Sequence, residues 1–473
     1  MKDGKLLQLL RTLSTAERQR FGEFLHSPFH NKREDCRRFW SALEGMKEGQ
    51  LPEKERLYQK SYPKSPYDDQ RFRLLQNALL GLLESFLVLR EFGQNKLEQE
   101  LLLIKEYRKR GLGKHQRGAR RRAEKQLEGL KTADALRVRH ELEQESFNLE
   151  VLENQITGLS YQPLLDQWDE YYLAKKLRQA CSAKSYGSVA GTPSYDFGLL
   201  DVLFDRLDWE RYLSVPAISL YYHGYWMLVR PEEEAHFTSF KHALLQHGES
   251  FPLAERKDLF MLAANYCTRK YNEGRGDYTR ELNEINKVGL AAGAFLVDFS
   301  RFRFRNIVIT ALVAGDVEWA EQFMEDYQTW LPHRYRESMV SYSRALLEFQ
   351  GQNYGRALQL LQKAEYRDLV LNLSAKAVLI KIYYETGEDD LLDAHLAAMR
   401  IFIRRQKNPS YQVFNFQQLV IFAQRLLELN PYDPAAKARL LEEVEAAKAV
   451  SEKEWLLRML KEGKSTAHTS GRE

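Results

Sequence analysis

The chain is poor in what holds small exported proteins together. Cys36, Cys181 and Cys267 are its only cysteines in 473 residues, and no CxxC occurs. An odd, dispersed set is a weak disulfide framework and lacks the ligand spacing of a structural zinc site. A reducing, cytoplasmic setting is therefore expected. Proline is scarce, 13 in all, which leaves room for long uninterrupted helices. The uncharged apolar runs, Ala217 to Val229 among the longest, fall short of a membrane span. The opening Met1-Lys2-Asp3-Gly4-Lys5 is too polar, and the apolar stretch after it too short, for a signal peptide. Charge of one sign is missing too. The 70 basic and 66 acidic residues leave a formal +4, which by itself implies no polyanion.

Catalytic signatures are also absent. There is no HExxH, no GxSxG and no cysteine in a nucleophile motif. Gly463-Lys464-Ser465 ends like a phosphate loop, but Arg458 stands where the leading glycine is required. Gly111-Leu112-Gly113 lacks the later glycine of a dinucleotide loop, and Gln116 sits there. His223, His236, His242 and His247 are spaced so that no two share a helical turn, and Asp201, Asp205 and Asp208 have no visible partner set. No metal and no cofactor are expected.

What is present is helical. Hydrophobic residues make up 44% and charged residues 29%, the balance of a folded chain. Phe72, Leu75, Leu79, Leu82, Leu83, Phe86 and Leu89 recur at intervals of three and four and predict a helix over 70–92. Similar patterns predict helices at 96–110, 114–130, 134–155, 164–183, 196–207, 217–229, 232–247 with Pro231 at its first position, 253–271, 414–429 and 434–460. Ser14-Thr15-Ala16-Glu17 is a capping-box pattern, followed by apolar Phe21, Phe24 and Leu25. Pro52, Pro63 and Pro66 with Gly45 and Gly49 mark a connector over 45–69, and Gly187, Gly191 and Pro193 mark a loop over 186–194. No alternating strand pattern is found, so the fold class is all-α.

The most informative stretch is 304–403, where a helix pair recurs. Gly315 ends one helix, Asp316 is placed to cap the next through its carboxylate, Glu318 lies in that helix's first turn, Ala320 lets a neighbour approach, and Pro332 follows. Asn353-Tyr354-Gly355-Arg356-Ala357 follows the helix at 338–349, and Gly387-Glu388-Asp389 follows the helix at 375–384. Repetition at this period means stacked antiparallel helix pairs.

These residues resemble the tetratricopeptide repeat. Gly315, Asp316 and Ala320 match its pattern, with Val317 in place of the aromatic. Tyr354 and Ala357 match in the next unit, with Ala364 at the later small position and Gln352 replacing the glycine. Gly387 matches in the third, with Leu392 replacing the small residue. A weaker earlier unit carries Gly276-Asp277-Tyr278, with Glu281 where alanine should be. The resemblance covers 262–405. The opening Leu13-Ser14 through Asn31 resembles an uncharacterised bacterial helical family. The expected organisation is a helical module (1–44), the connector (45–69), hairpins without motif (70–260), repeats (261–405), capping helices (406–462) and a disordered tail (463–473).

The repeat resemblance implies a right-handed superhelix whose concave groove is lined by the first helix of each pair. By position that face holds Tyr266 and Lys270, then Phe302 and Arg305, then Tyr342, Leu346 and Phe349, then Lys381 and Tyr384. Aromatic and cationic groups on one surface suit a protein or peptide partner with acidic groups. Ile309 occupies the place of the asparagine in the family's carboxylate clamp. The plain alternative is that these aromatics pack between repeats. Arg301, Arg303 and Arg305 alternate with phenylalanines and have Asp298 and Glu337 as candidate partners.

A second candidate surface is the basic run 105–125, with Arg108, Lys109, Arg110, Lys114, Arg117, Arg120, Arg121 and Arg122 at its centre. That density can neutralise phosphates. Alternatively it is a solvated helix pair offset by Glu98, Glu100, Glu128, Glu141 and Glu143. The leading expectation is a non-catalytic scaffold binding a protein or peptide. A nucleic-acid-binding or regulatory protein is second, and an enzyme on a helical scaffold third.

Overall fold

The structure, a computed structural model, describes residues 4–44, 53–153, 159–190, 195–363, 366–406, 411–430, 432–447 and 449–462. The tail 463–473, Gly45, Gly49, Pro52, Gly191, Pro193 and Ala364 lie outside the described residues. Among the described residues there are 24 α-helices, two short 3-10 turns and no strand. The all-α class holds, and most helices pack against a neighbour in sequence. The contacts divide the chain into residues 1–172 and 173–473, a boundary that falls inside the helix Gln162–Ala190.

The first part opens with α1 (Lys5–Arg11), α2 (Thr15–His26), α3 (Glu34–Glu44), α4 (Lys54–Ser61) and α5 (Asp69–Gln94). They share one core built on Phe21, Phe39, Trp40, Tyr58, Phe72 and Leu79. The capping box at Ser14 forms: the Glu17 amide donates to Ser14 Oγ at 3.3 Å, and the Ser14 amide donates to Glu17 Oε2 at 2.6 Å. Helix α4 lies within the expected connector. Pro63 and Pro66 follow it rather than break it, and Leu57 and Tyr58 are buried in the shared core. The Tyr62 hydroxyl donates to Asp35 at 2.6 Å beside the Arg33–Asp35 ion pair, which holds the Asp35 carboxyl down to about 2. By length and composition α5 is apolar enough to cross a membrane, more than its sequence pattern suggested. One stripe of it, including Leu75, Leu79 and Leu83, is buried in this core, while Leu74, Val88 and Leu89 are exposed.

Helices α6 (Lys96–Lys109), α7 (Gly113–Leu127) and α8 (Ala133–Leu152) form a second core around Leu101, Ile104, Ala119, Ala123 and Leu142. Helix α9 (Gln162–Ala190) continues through 186–190, where a loop was expected. A single glycine inside a helix lowers its stability without ending it.

The second part contains α10 (Leu199–Arg206), α11 (Glu210–Leu213), α12 (Pro216–Val229), α13 (Glu234–His247), α14 (Leu253–Asn272), α15 (Tyr278–Ala291), α16 (Arg301–Val313), α17 (Val317–Tyr327), α18 (His333–Gln350), α19 (Tyr354–Lys363), α20 (Leu369–Thr386), α21 (Asp389–Arg404), α22 (Tyr411–Leu427), α23 (Pro434–Ala446) and α24 (Lys453–Glu462). Consecutive helices pair as hairpins. First helices of successive pairs also touch: α12 with α14, α16 with α18, α18 with α20, and α20 with α22. Pro231 is not the first residue of α13. It lies in the preceding turn, where its carbonyl accepts the Tyr266 hydroxyl at 2.7 Å. The expected helix 434–460 is two helices, α23 and α24, separated near Glu452, which adopts a left-handed φ of 56°.

One turn recurs. Residues Gly274, Gly315, Gln352 and Gly387 all have positive φ (89°, 81°, 59° and 74°). At each, the left-handed residue's amide donates to the carbonyl three residues back, and the next amide to the carbonyl five back. The second bond is 3.0 Å for Arg275 to Lys270, 2.9 Å for Asp316 to Ala311, 2.8 Å for Asn353 to Glu348 and 2.9 Å for Glu388 to Tyr383. This Schellman closure satisfies carbonyls that a helix end leaves free. The weak early unit thus turns at Gly274, not Gly276. Gly111 (φ 67°), between α6 and α7, makes the same pair of bonds.

Asp316 does not cap α17. No side-chain cap bond forms; its carboxylate ion-pairs with Lys287 and accepts from the Asn283 amide at 2.7 Å. Lys287 holds its pKa below the usual carboxylate range. Ala320 and Ala357 are fully buried.

A candidate binding groove

Helices α16, α18 and α20 pack in succession, and a cavity of about 340 Å³ opens between them and the start of α24. Its apolar wall is Ile309, Leu312, Val313 and Leu346, with Tyr342 and Phe349 beside it. Helical spacing does this: Ile309 and Val313 are four apart on α16, and Tyr342, Leu346 and Phe349 lie four and three apart on α18. From α20 come Lys381 and Glu385, again one turn apart.

The polar end is organised around two carboxylates. The Lys381 side chain is only 10% exposed; its ammonium donates to Glu452 Oε2 at 2.8 Å and lies 4.8 Å from the Phe349 ring centre. Glu385, one turn on, accepts three bonds: from the Tyr354 hydroxyl at 2.6 Å, Trp455 Nε1 at 2.7 Å and Arg458 Nη2 at 2.9 Å. Burial first, then that bond to Glu385, raises the Tyr354 hydroxyl pKa. Burial likewise raises that of Tyr342. Glu452, at the start of α24, and Arg458 within it therefore form part of the cavity's own lining.

Of the nine residues expected on the concave face, Tyr342, Leu346, Phe349 and Lys381 line this one cavity. The other five do not. Tyr384 is buried edge-on against Trp455. Arg305 donates to Ser374 Oγ at 3.4 Å, and Phe302 is exposed under the Arg301 guanidinium. Tyr266 stacks on Phe237 at 4.6 Å, and Lys270 is buried 3.9 Å from both Glu234 and Glu273. The arginines of 301–305 take partners other than those expected. Arg301 pairs with Asp368 at 2.6 Å, while Asp298 is held by Lys257. Glu385, Glu452 and Arg458 were not anticipated. They reach the groove from up to 73 residues away and carry no local motif.

The basic run is largely neutralised. Lys105 pairs with Glu141, Arg108 with Glu145, Lys109 and Arg110 with Glu106, Arg117 with Glu153, Arg120 with Glu124 and Glu143, and Arg122 with Glu100. Among the described residues only Lys114, Arg121 and Lys125 of this run lack an acidic partner, and all three are exposed.

Two further features were not read from sequence. A cavity of about 400 Å³ lies between α9, α12 and α14, lined by Arg178, Cys181, Ser182, Tyr221, Asp258 and Asn265. Beside it Glu255 is buried, 3.0 Å from Arg178, and accepts the Tyr221 hydroxyl at 2.7 Å. His223 and His236, from α12 and α13, share a hydrogen bond of 3.0 Å between their Nδ1 atoms. Among the described residues no group of three histidines, cysteines or carboxylates could hold a metal. All three cysteines are buried and free, and burial pushes the Cys36 thiol up to about 11. Compared with protein-family models, with curated proteins and with solved structures, the chain matches none.

Proposed function

We propose that the groove between α16, α18 and α20 binds a segment of another protein that joins apolar side chains to acidic ones, and that the chain is a non-catalytic scaffold. The observation that carries this reading is the ammonium of Lys381, held almost out of water at the edge of an apolar cavity that remains open. Such a combination suits an anchor residue flanked by a carboxylate. We further infer that the stacked pairs of 262–405 are degenerate tetratricopeptide-like repeats, as the shared turn at 274, 315, 352 and 387 supports. The free buried thiols fit a reducing cytoplasm. A nucleic-acid role for 105–125 has less support, because glutamates already answer most of its cations.

The test is a display library of random dodecapeptides panned on the purified full-length chain. Selected peptides should pair Asp or Glu with a large apolar residue. Leu346→Asp, which places a charge on the apolar wall, should weaken them by more than about ten-fold. Peptides indifferent to Leu346→Asp would remove the groove as the binding surface.

A further inference from the structure

We propose that Glu452 is an internal occupant of the groove, and that a partner's carboxylate takes its place on Lys381. This rests on the groove reading above and specifies what the groove selects. A buried ammonium needs an anion beside it, and removing that anion without a substitute is strongly unfavourable. Any ligand that enters deeply enough to push Glu452 aside must therefore bring a negative group of its own. A neutral or basic segment would leave Lys381 unanswered, and an acidic one would not.

The geometry separates the side chain, which can leave, from the helix, which stays. Glu452 keeps 30% of its side chain exposed, so its carboxylate has a short path to water. Helix α24 behind it is fixed: Leu456 and Leu460 are essentially buried, and Trp455 and Arg458 both donate to Glu385. The exchange thus needs a rotamer change and no unfolding. Glu385 can also release Arg458, 49% exposed at the rim, while keeping the Tyr354 and Trp455 bonds. That offers a second cation for a second acidic residue.

Glu452 is also held in an unfavourable backbone state. It is one of three described non-glycine residues with positive φ, a conformation that costs an ordinary residue about 1 kcal/mol or more. Local bonds keep it there: the Ser451 amide donates to the Asn415 carbonyl at 3.1 Å, and the Lys453 ammonium donates to the carbonyls of Glu445 and Ala447, each at 2.8 Å. These bonds aim the carboxylate at Lys381.

The experiment uses the peptides selected above, fluorescently labelled, against full-length wild type, Glu452→Gln, Lys381→Met and the double variant, each checked by its melting curve. Glu452→Gln should bind acidic peptides about ten-fold more tightly, because an internal competitor occupying the site most of the time scales down apparent affinity by that fraction. Lys381→Met should lose the preference for a peptide's Glu over Gln. The double variant, which has neither charge to strand, should share that loss if Lys381→Met alone folds poorly. Equal affinity in wild type and Glu452→Gln, with binding still sensitive to Leu346→Asp, would overturn the inference and leave the groove standing. Retained Glu-over-Gln preference in the double variant would overturn it as well. If no variant yields peptides sensitive to Leu346→Asp, the groove itself falls and the inference with it.

Discussion

An aspartate in the turn before a helix can fold back onto the helix's free amides or reach sideways to another element. Asp316 reaches sideways, to Lys287 and Asn283 of α15. The choice depends on an ammonium that arrives from 29 residues earlier, so the local pattern Gly315-Asp316-Val317-Glu318 could not reveal it. Asp316→Ala is still expected to destabilise the chain, by about 1–2 kcal/mol, but through a stranded Asn283 amide rather than a lost cap. Asn283 is buried, which makes the loss felt. In a denaturation cycle, Asp316→Ala and Asn283→Ala together should lose about 1 kcal/mol less than their separate losses summed. Strict additivity would mean that the Asn283 amide does not depend on Asp316. The contrast with Ser14 is instructive: its partner Glu17 lies three residues away, so sequence alone sufficed.

At the scale of an element, the turns were legible where glycine marks them and obscure where it does not. Gly315 and Gly387 announce a left-handed end because only glycine takes that conformation at little cost. Gln352 takes the same conformation without announcing it, and Glu452 breaks the expected helix 434–460 with neither glycine nor proline nearby. In both cases the surrounding hydrogen bonds override the residue's own preference. Gln352→Gly should therefore raise thermal stability, by about 1 kcal/mol, as the steric strain of a left-handed glutamine is relieved. Gly387→Val, a β-branched residue at φ 74°, should lower it by about 1–2 kcal/mol. Melting curves that rank these two variants the other way would mean that the turn is not strained. Helix α4 escaped notice for the opposite reason: nearby prolines suggested a linker, while Leu57 and Tyr58 hold it in the core.

For the whole molecule, the helical class followed from periodicity alone, and four of the nine expected groove residues do meet in one cavity. What periodicity could not give was which side of each aromatic faces a neighbour, so Tyr266 and Tyr384 went into packing instead. Nor could it join His223 to His236 across a hairpin. That pair links overall stability to acidity. Burial first, then the neighbouring His236, depresses the His223 pKa to about 4 from 6.5, and burial lowers that of His236 despite Glu233. The fold therefore takes up protons on these rings less readily than the unfolded chain, which does so below about 6.5. Their stabilisation is therefore complete above that pH and declines as pH falls toward 4, by an amount of order 2 kcal/mol. His223→Gln should flatten that decline in the transition that includes residues 173–473. An unchanged slope would mean that other groups, such as His395, whose pKa burial also lowers, dominate it.

Glu385 binds donors from residues 354, 455 and 458 at once. During synthesis, the helix carrying it leaves the ribosome some seventy residues before the last of those donors does. Until then the nascent α20 bears a carboxylate with a single early partner, Tyr354, and a Tyr384 ring still without Trp455 to pack against. The middle of the chain can coil and pack as it emerges, but the bonds to Lys381 and from Trp455 and Arg458 form only once α24 arrives. A ribosome stalled in that interval would present a sticky, half-closed intermediate of the kind that chaperones engage.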